Sequence, residues 1–139
     1  MHYWLGVVSK EHVQKGVQGS FAQVCHGKKG PLMKMGAGDG FVYYSPRISL
    51  FGKDPCKCFT AIGTIKSGHV YQVEMTPDFH PYRIDIDYLP SQDVPISDLM
   101  NDLELTQHKS WGMQLRRGLV EISPEDFSTI SKAMQKCLN

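Results

Sequence analysis

The sequence has no long apolar run and almost no net charge, and both absences exclude classes of function. Lys and Arg number 15 against 14 Asp and Glu, so the formal charge is +1 and no bulk basic field exists for non-specific nucleic-acid binding. No apolar run reaches the roughly 20 residues of a membrane span. The apolar run near the N-terminus also lacks a small-residue cleavage site. We therefore expect a soluble cytoplasmic protein with no membrane partner, whose nucleic-acid contacts, if any, are local.

Cysteine is sparse, with four residues at positions 25, 56, 58 and 137. Their spacing gives neither two C-x-x-C pairs nor a Cys/His zinc pattern, so we predict no metal site and no disulfide framework. Cys56 and Cys58 can form a redox pair or bind a metal, because side chains at alternate strand positions face the same side. Chance is the simpler interpretation of this pair. We expect no cofactor.

Repeats, low-complexity tracts and linkers are also missing. A chain of 139 residues with 41% hydrophobic content suits one compact domain with a real core. We therefore predict a single domain over residues 1–139 and expect a monomer.

Apolar alternation and β-branched or aromatic content predict six or seven short strands. They fall at residues 3–9, 21–25, 40–45, 57–66, 70–75, 82–88 and 118–122. Pro46 is expected to end the third strand because it cannot donate to the ladder. Ser67 and Gly68 are expected to form a hairpin turn.

Helix signals occur at the start, middle and end of the chain. Ser9 is a predicted N-cap for a helix over residues 10–18, and Ser123 followed by Pro124 is a strong start for a closing helix over residues 124–136. Shorter helical segments are predicted at residues 31–35 and 96–103. Many short strands with few helices favour a small twisted barrel over a doubly wound sheet.

Residues 21–47 contain two predicted strands that each end in small polar groups. One strand ends in His26-Gly27-Lys28 and the other in Ser45-Pro46-Arg47, with a glycine-rich turn around Asp39 between them. If these two ends meet, they form a pocket.

The string AQVCHGKKGPLMKMGAGDGFVYYSPR follows YWLGVVS and precedes CFTAIGTI and RRGLVEISPEDFSTI. Together these motifs resemble the EVE domain of the PUA-like superfamily, in its compact single-domain form, over essentially the whole chain. The chain departs from larger relatives at Val24-Cys25-His26, where Val-Arg-Asn is common. The resemblance implies an α+β fold with a mixed, strongly curved β-sheet that forms a small pseudo-barrel flanked by short helices. It also implies kinship with YTH, ASCH and PUA modules.

The resemblance further implies a pocket for one modified nucleobase, flipped out of DNA or RNA. Such a pocket needs apolar or aromatic faces and a few fixed polar groups. The candidate pocket residues are Ser9, Cys25, His26, Gly27, Lys28, Tyr44, Ser45, Pro46, Phe59 and Trp111. The candidate phosphate rim comprises Lys29, Lys34, Arg47 and Arg116, with Arg117 beside it.

Each candidate also has a purely structural interpretation. Tyr43 and Tyr44 are adjacent on one strand and must face opposite sides, so only one can line the pocket, and we favour Tyr44. Trp4 lies in an apolar strand and is more typical of a core. Trp111 lies in a glycine-flanked loop and can cover the pocket. His26 can be a turn residue, and the basic rim can be an ordinary solvated face.

Three functional hypotheses remain. The first is a reader of a modified cytosine or adenine, without catalytic residues, that serves a separate nuclease or modification enzyme. The second is an amidohydrolase of acylated nucleosides, which some ASCH relatives resemble, with Lys28 and either Glu11 or Glu74. The third is a sensor of a free nucleobase or metabolite. A thiol nucleophile at Cys25 with His26 as base is disfavoured because adjacent strand residues point apart.

Overall fold

A computed structural model describes residues 1–136 of the chain as a mixed α+β fold. The strands are β1 (Tyr3–Val7), β2 (Phe21–Ala22), β3 (Gly40–Arg47), β4 (Pro55–Gln72), β5 (Tyr82–Tyr88), β6 (Val94–Pro95) and β7 (Leu119–Ile122). The helices are α1 (Lys10–Gly19), α2 (Lys29–Leu32), α3 (Trp111–Leu115) and α4 (Pro124–Gln135). Three 3₁₀ turns occupy Cys25–Gly27, Ile96–Leu99 and Leu105–Gln107. The predicted fold class is confirmed.

All seven strands form one curved sheet in the order β2-β5-β4-β3-β1-β7, and β6 pairs separately with β4. The pair β1 and β3 is parallel, and the other pairings are antiparallel. Within residues 1–136, β2 and β7 do not pair with each other, so the sheet is not closed into a barrel. The parallel pair brings the carboxyl ends of β1 and β3 together, with Val7 opposite Tyr44.

The core lies in two layers, one on each face of the sheet. The first layer includes Val42, Tyr44 and Phe59 with residues of α4, and the second layer includes Trp4, Phe41 and Tyr43 with residues of α1 and α2. Neighbouring residues of β3 thus alternate between the layers, because successive strand side chains point to opposite faces. Tyr43 and Tyr44 lie in different layers, as predicted.

The two capped helices are confirmed. The Ser9 Oγ accepts a hydrogen bond from the His12 amide at 3.4 Å, and the Ser123 Oγ accepts one from the Asp126 amide at 3.0 Å. The helix predicted at residues 31–35 instead occupies Lys29–Leu32, and the one predicted at 96–103 is only the 3₁₀ turn Ile96–Leu99. The closing helix is predicted to extend to residue 136, but α4 ends at Gln135. Along residues 1–136, no helix is long and apolar enough to cross a membrane.

Three strand predictions are wrong. The hairpin at Ser67 and Gly68 does not form, because β4 continues as one strand of 18 residues and absorbs the segment as an irregularity between Ile65 and Val70. Pro46 does not end β3, because it occupies a register shift where its missing N–H is tolerated. The strand predicted at residues 21–25 ends at Ala22. Cys25 and His26 then adopt left-handed φ values of 52° and 60°.

Asp39 joins the glycine-rich turn to β1. Its Oδ2 accepts hydrogen bonds from the Trp4 Nε1 at 3.0 Å and the Gly36 amide at 2.9 Å, and its Oδ1 accepts one from the His2 amide at 3.2 Å. Burial opposes ionisation of the Asp39 carboxyl, but the hydrogen bonds from Gly36, Trp4 and His2 outweigh it and lower its pKa. Asp39 therefore fixes both the turn and the ring of Trp4.

We expect Asp39→Ala to lower the free energy of unfolding by about 2 kcal/mol, because it leaves the buried indole N–H of Trp4 without an acceptor. Urea unfolding followed by circular dichroism measures this change. Since the folded-state pKa is lowered, the stabilisation is present at neutral pH and is lost as the pH falls through that pKa. The matched control is Asp102→Ala, at an exposed turn. Equal losses in the two variants, or a loss that persists in acid, would contradict this role.

Candidate functional site

An open, mainly apolar cleft of ≈ 380 Å³ lies where β3, β4 and β6 meet the start of α3. The residues that line it are Tyr44, Cys56, Lys57, Pro95, Ile96, Ser97, Met100 and Trp111. Its volume falls within the roughly 300–1,000 Å³ of small-ligand sites. The cleft combines aromatic and aliphatic surface with a few polar groups.

Tyr44 and Trp111 supply the aromatic surface of the cleft. Tyr44 packs against Phe59 with ring centroids 5.7 Å apart at 63°, and Phe59 is fully buried, so the tyrosine ring is held from behind. Tyr44 is only 4% exposed. Trp111 is half-buried against the first layer and therefore provides the larger aromatic face. One ring belongs to the sheet and the other to a helix that follows a long irregular segment.

Titratable groups in the cleft and near it shift one another's pKa values, and Lys10 and Asp93 belong to the second kind because they do not line the cleft. The Lys10 Nζ lies 2.7 Å from the Asp93 Oδ2, and this hydrogen bond and charge raise the pKa of Lys10. Burial, followed by the charges of the Cys56 and Cys58 thiols, raises the pKa of Tyr44. Tyr44 is thus a neutral hydroxyl at physiological pH, able to donate and accept hydrogen bonds.

The cleft brings together only some of the residues proposed from the sequence. Tyr44 and Trp111 line it, and Phe59 lies behind Tyr44. Ser45 is fully buried, and its Oγ shares a hydrogen bond of 2.8 Å with the Thr60 Oγ1. Ser9 caps α1, and Pro46 is half-buried at the register shift of β3.

The residues of the 3₁₀ turn Cys25–Gly27 lie elsewhere. The Cys25 thiol donates to the Arg117 carbonyl at 3.2 Å, and Cys25 packs against the second layer. His26 is exposed, and Gly27 is packed so closely against Pro81 that a Cβ would lie 2.5 Å from the proline ring. These residues, with the exposed Lys28, do not line the cleft.

The residues of the proposed phosphate rim also lie in two different parts of the structure. Lys29 places its Nζ 5.7 Å from the Tyr82 ring centroid. Burial raises the pKa of the Cys25 thiol, and the charges of Lys28 and Lys34 oppose this rise, so both lysines lie near Cys25. The other two rim residues, Arg47 and Arg116, are exposed: Arg47 ends β3, the strand of Tyr44, and Arg116 directly follows α3, the helix of Trp111.

The structure brings together few of the groups that the hydrolase hypothesis requires. Among residues 1–136, no carboxylate lines the cleft. In the described part of the chain, Lys28 makes no ion pair, and Glu74 instead lies 4.0 Å from the His80 Nε2. No group of three His, Cys, Asp or Glu side chains that could hold a metal ion occurs between residues 1 and 136.

Sequence reasoning missed six of the cleft residues, namely Cys56, Lys57, Pro95, Ile96, Ser97 and Met100. They come together because β6 pairs with β4, with Cys58 opposite Pro95 and Phe59 opposite Val94. A two-residue strand has no periodicity to detect, and the start of β4 lies in a polar stretch that resembles a loop. The only available signal was the C-x-C spacing.

We expect the alkylation of Cys58 to require unusually high pH. Burial, together with the charge and hydrogen bond of Cys56, raises the Cys58 pKa from 9.0 to about 11. Near neutral pH, two pKa units make the reactive thiolate about a hundredfold scarcer. The labelling rate with iodoacetamide, followed on the peptide of residues 58–66, should rise with a midpoint near 11 in the folded protein. A midpoint near 9, as in the urea-unfolded chain, would contradict the burial of Cys58 beside Cys56.

The sequence is similar to known proteins over almost its whole length. A family model described as EVE domain matches residues 2–133. The chain is 51% identical over 134 residues to the UPF0310 protein YdcG of Bacillus subtilis, covering 96% of this chain and 92% of that protein. It is 46% identical to a UPF0310 protein of Streptococcus mutans, covering 96% of both chains.

Solved structures with low sequence identity share the fold. A hypothetical protein from Leishmania major matches with a TM-score of 0.62 at 12% identity, covering 100% of this chain and 98% of that one. The YTH domain of the Zygosaccharomyces rouxii MRB1 protein, solved in complex with N6-methyladenosine RNA, matches with a TM-score of 0.57 at 16% identity. That alignment covers 97% of this chain and 86% of the YTH chain.

Proposed function

Because the chain belongs to the EVE domain family, we propose that it is a nucleic-acid-binding module that holds one modified base between Tyr44 and Trp111. The observation that carries this proposal is that two aromatic side chains from distant segments line one open cleft. Stacking on an aromatic side chain contributes about 1–3 kcal/mol per base. That gain offsets the few kcal/mol that extrusion of a base costs.

The polar groups of the cleft are suited to hydrogen bonds with the edge of a base. Lys57 donates through its ammonium group, while Ser97 and the neutral Tyr44 hydroxyl can donate or accept. A methyl group on the base would lie against aliphatic surface such as Ile96 and Met100. The cleft therefore pairs hydrogen-bonding groups with an apolar wall, the combination that a modified base presents.

Two exposed cations on the elements that carry Tyr44 and Trp111 suit the phosphates on either side of the bound base. Arg47 ends β3, and Arg116 directly follows α3. With only these two cations assigned to phosphates, affinity depends on the base and falls only modestly with salt. Such a module needs no chemistry of its own and serves as the sensor of a separate nuclease or modification enzyme.

The choice of the first probe comes from a fold neighbour. The YTH domain was solved with N6-methyladenosine RNA, so a short RNA with one N6-methyladenosine is the first strand to test. Matched strands of RNA and DNA with a modified cytosine, or with no modification, complete the set. We expect one modified strand to bind more tightly than its unmodified counterpart.

We expect Trp111→Ala to weaken binding of the preferred strand by about tenfold or more, because stacking contributes 1–3 kcal/mol per base. Fluorescence anisotropy of labelled strands measures the dissociation constants. The matched control is Met113→Ala, on the same helix at a side chain that is 67% exposed and outside the cleft. His26→Ala, at an exposed residue that does not line the cleft, serves as a second control. Equal affinity of Trp111→Ala and Met113→Ala, or equal affinity for modified and unmodified strands, would refute the proposal.

A further inference from the structure

We propose that Cys56 and Cys58 form a reversible disulfide in the wall of the cleft, with a hydroperoxide as the oxidant. Both cysteines are free and half-buried in the structure, and Cys56 lines the cleft directly. The pair is therefore a redox site built into the binding surface.

The backbone between the two cysteines is bent in the direction that a disulfide needs. Lys57 has a φ of 54°, in the left-handed region that non-glycine residues rarely adopt. This residue lies in the register shift of β3 and β4, where Ser45 pairs with Cys58 and Arg47 with Pro55. The segment is thus a β-bulge that departs from extended geometry.

This bend shortens the distance between the two Cα atoms. In an extended strand, residues two apart are separated by roughly 6.6 Å. A left-handed residue mirrors α-helical geometry, in which residues two apart are separated by roughly 5.4 Å. Disulfides most often join Cα atoms about 5.5–6 Å apart. Lys57 therefore brings Cys56 and Cys58 close to disulfide distance before any oxidation occurs.

The Cys58 side chain also folds back onto Cys56. The Cys58 thiol donates a hydrogen bond to the Cys56 backbone carbonyl at 3.2 Å. The charge and hydrogen bond of Cys56 contribute to the raised pKa of Cys58, and both thiols act on the pKa of Tyr44. The two thiols therefore belong to one local cluster with the Tyr44 hydroxyl.

Cys56 lines the cleft and is the sulfur that meets the oxidant. Its thiolate attacks one peroxide oxygen, the O–O bond breaks, and the products are a sulfenic acid and, after protonation, water or an alcohol. The Cys58 sulfur then attacks the sulfenic sulfur. The S–S bond forms as the S–O bond breaks, and the hydroxyl leaves as water with the Cys58 proton. The two thiols are oxidised by two electrons, and one peroxide bond is reduced.

Closing this ring changes the wall of the cleft, so base affinity should differ between the reduced and oxidised protein. That consequence rests on the proposed function. Disulfide formation does not, and it is tested without any nucleic acid.

The test uses the full chain, treated with hydrogen peroxide, blocked with iodoacetamide and digested with trypsin. Lys57 lies between the cysteines, so cleavage separates residues 54–57 from residues 58–66. We expect these peptides to be joined by an S–S bond, or to remain as uncleaved residues 54–66 with both cysteines unblocked. Dithiothreitol should restore alkylation of both.

Matched variants separate proximity from general reactivity. Cys25→Ser with Cys137→Ser should leave the linkage intact, whereas Cys58→Ser should abolish it. Lys57→Gly keeps the left-handed conformation and should form the disulfide at least as readily. Lys57→Val disfavours that conformation and should lower the disulfide fraction in a glutathione buffer by about tenfold. A sulfinic or sulfonic Cys56, linkage to Cys25 or Cys137, or a disulfide-linked dimer as the main product would overturn the proposal.

Discussion

The parallel pairing of β1 with β3 determines which layer the aromatic side chains of these two strands enter. It sets Trp4 beside Phe41 and Val7 beside Tyr44, and strand alternation then sends Tyr43 and Tyr44 to opposite layers. A slip of one residue would exchange the two faces. Asp39 helps to prevent such a slip, because its carboxylate holds the turn before β3 against the indole of Trp4 on β1. The cleft therefore depends on an interaction made at the far end of the same strand pair.

Local signals in the sequence were sufficient for the parts of the fold that are determined locally. Ser9 and Ser123 marked both capped helices, and the alternation of Tyr82–Tyr88 marked β5 without error. The prediction failed where distant pairing overrides local preference. Ser67 and Gly68 carry a turn signal, and Gly68 has a left-handed φ of 58°, yet β4 pairs with β5 both before and after them, so they form an irregularity within one strand. The cleft shows the same limit: Tyr44 and Trp111 were candidates from their sequence context, whereas Pro95–Ser97 reaches the cleft only through the pairing of β6 with β4.

Titratable groups in and beside the cleft interact electrostatically. Lys10, which does not line the cleft, is paired with Asp93, and the thiols of Cys56 and Cys58 influence the pKa values of both Lys10 and Tyr44. Tyr44 stays neutral. The bulge at Lys57 lies between the two cysteines, and both Cys56 and Lys57 line the cleft. Base recognition and thiol oxidation are thus proposed for adjoining parts of one surface.

The most direct test of the central claim is to locate the bound ligand by nuclear magnetic resonance. The chain has two tryptophans, and they occupy different layers, Trp111 at the cleft and Trp4 with its indole N–H bonded to Asp39. When the preferred modified strand is added to the ¹⁵N-labelled protein, the indole signal of Trp111 and the amides of Ser97 and Met100 should shift, while the indole signal of Trp4 stays in place. Shifts centred on Cys25, His26 and Gly118, with the Trp111 signal unchanged, would contradict the assignment of the cleft as the binding site.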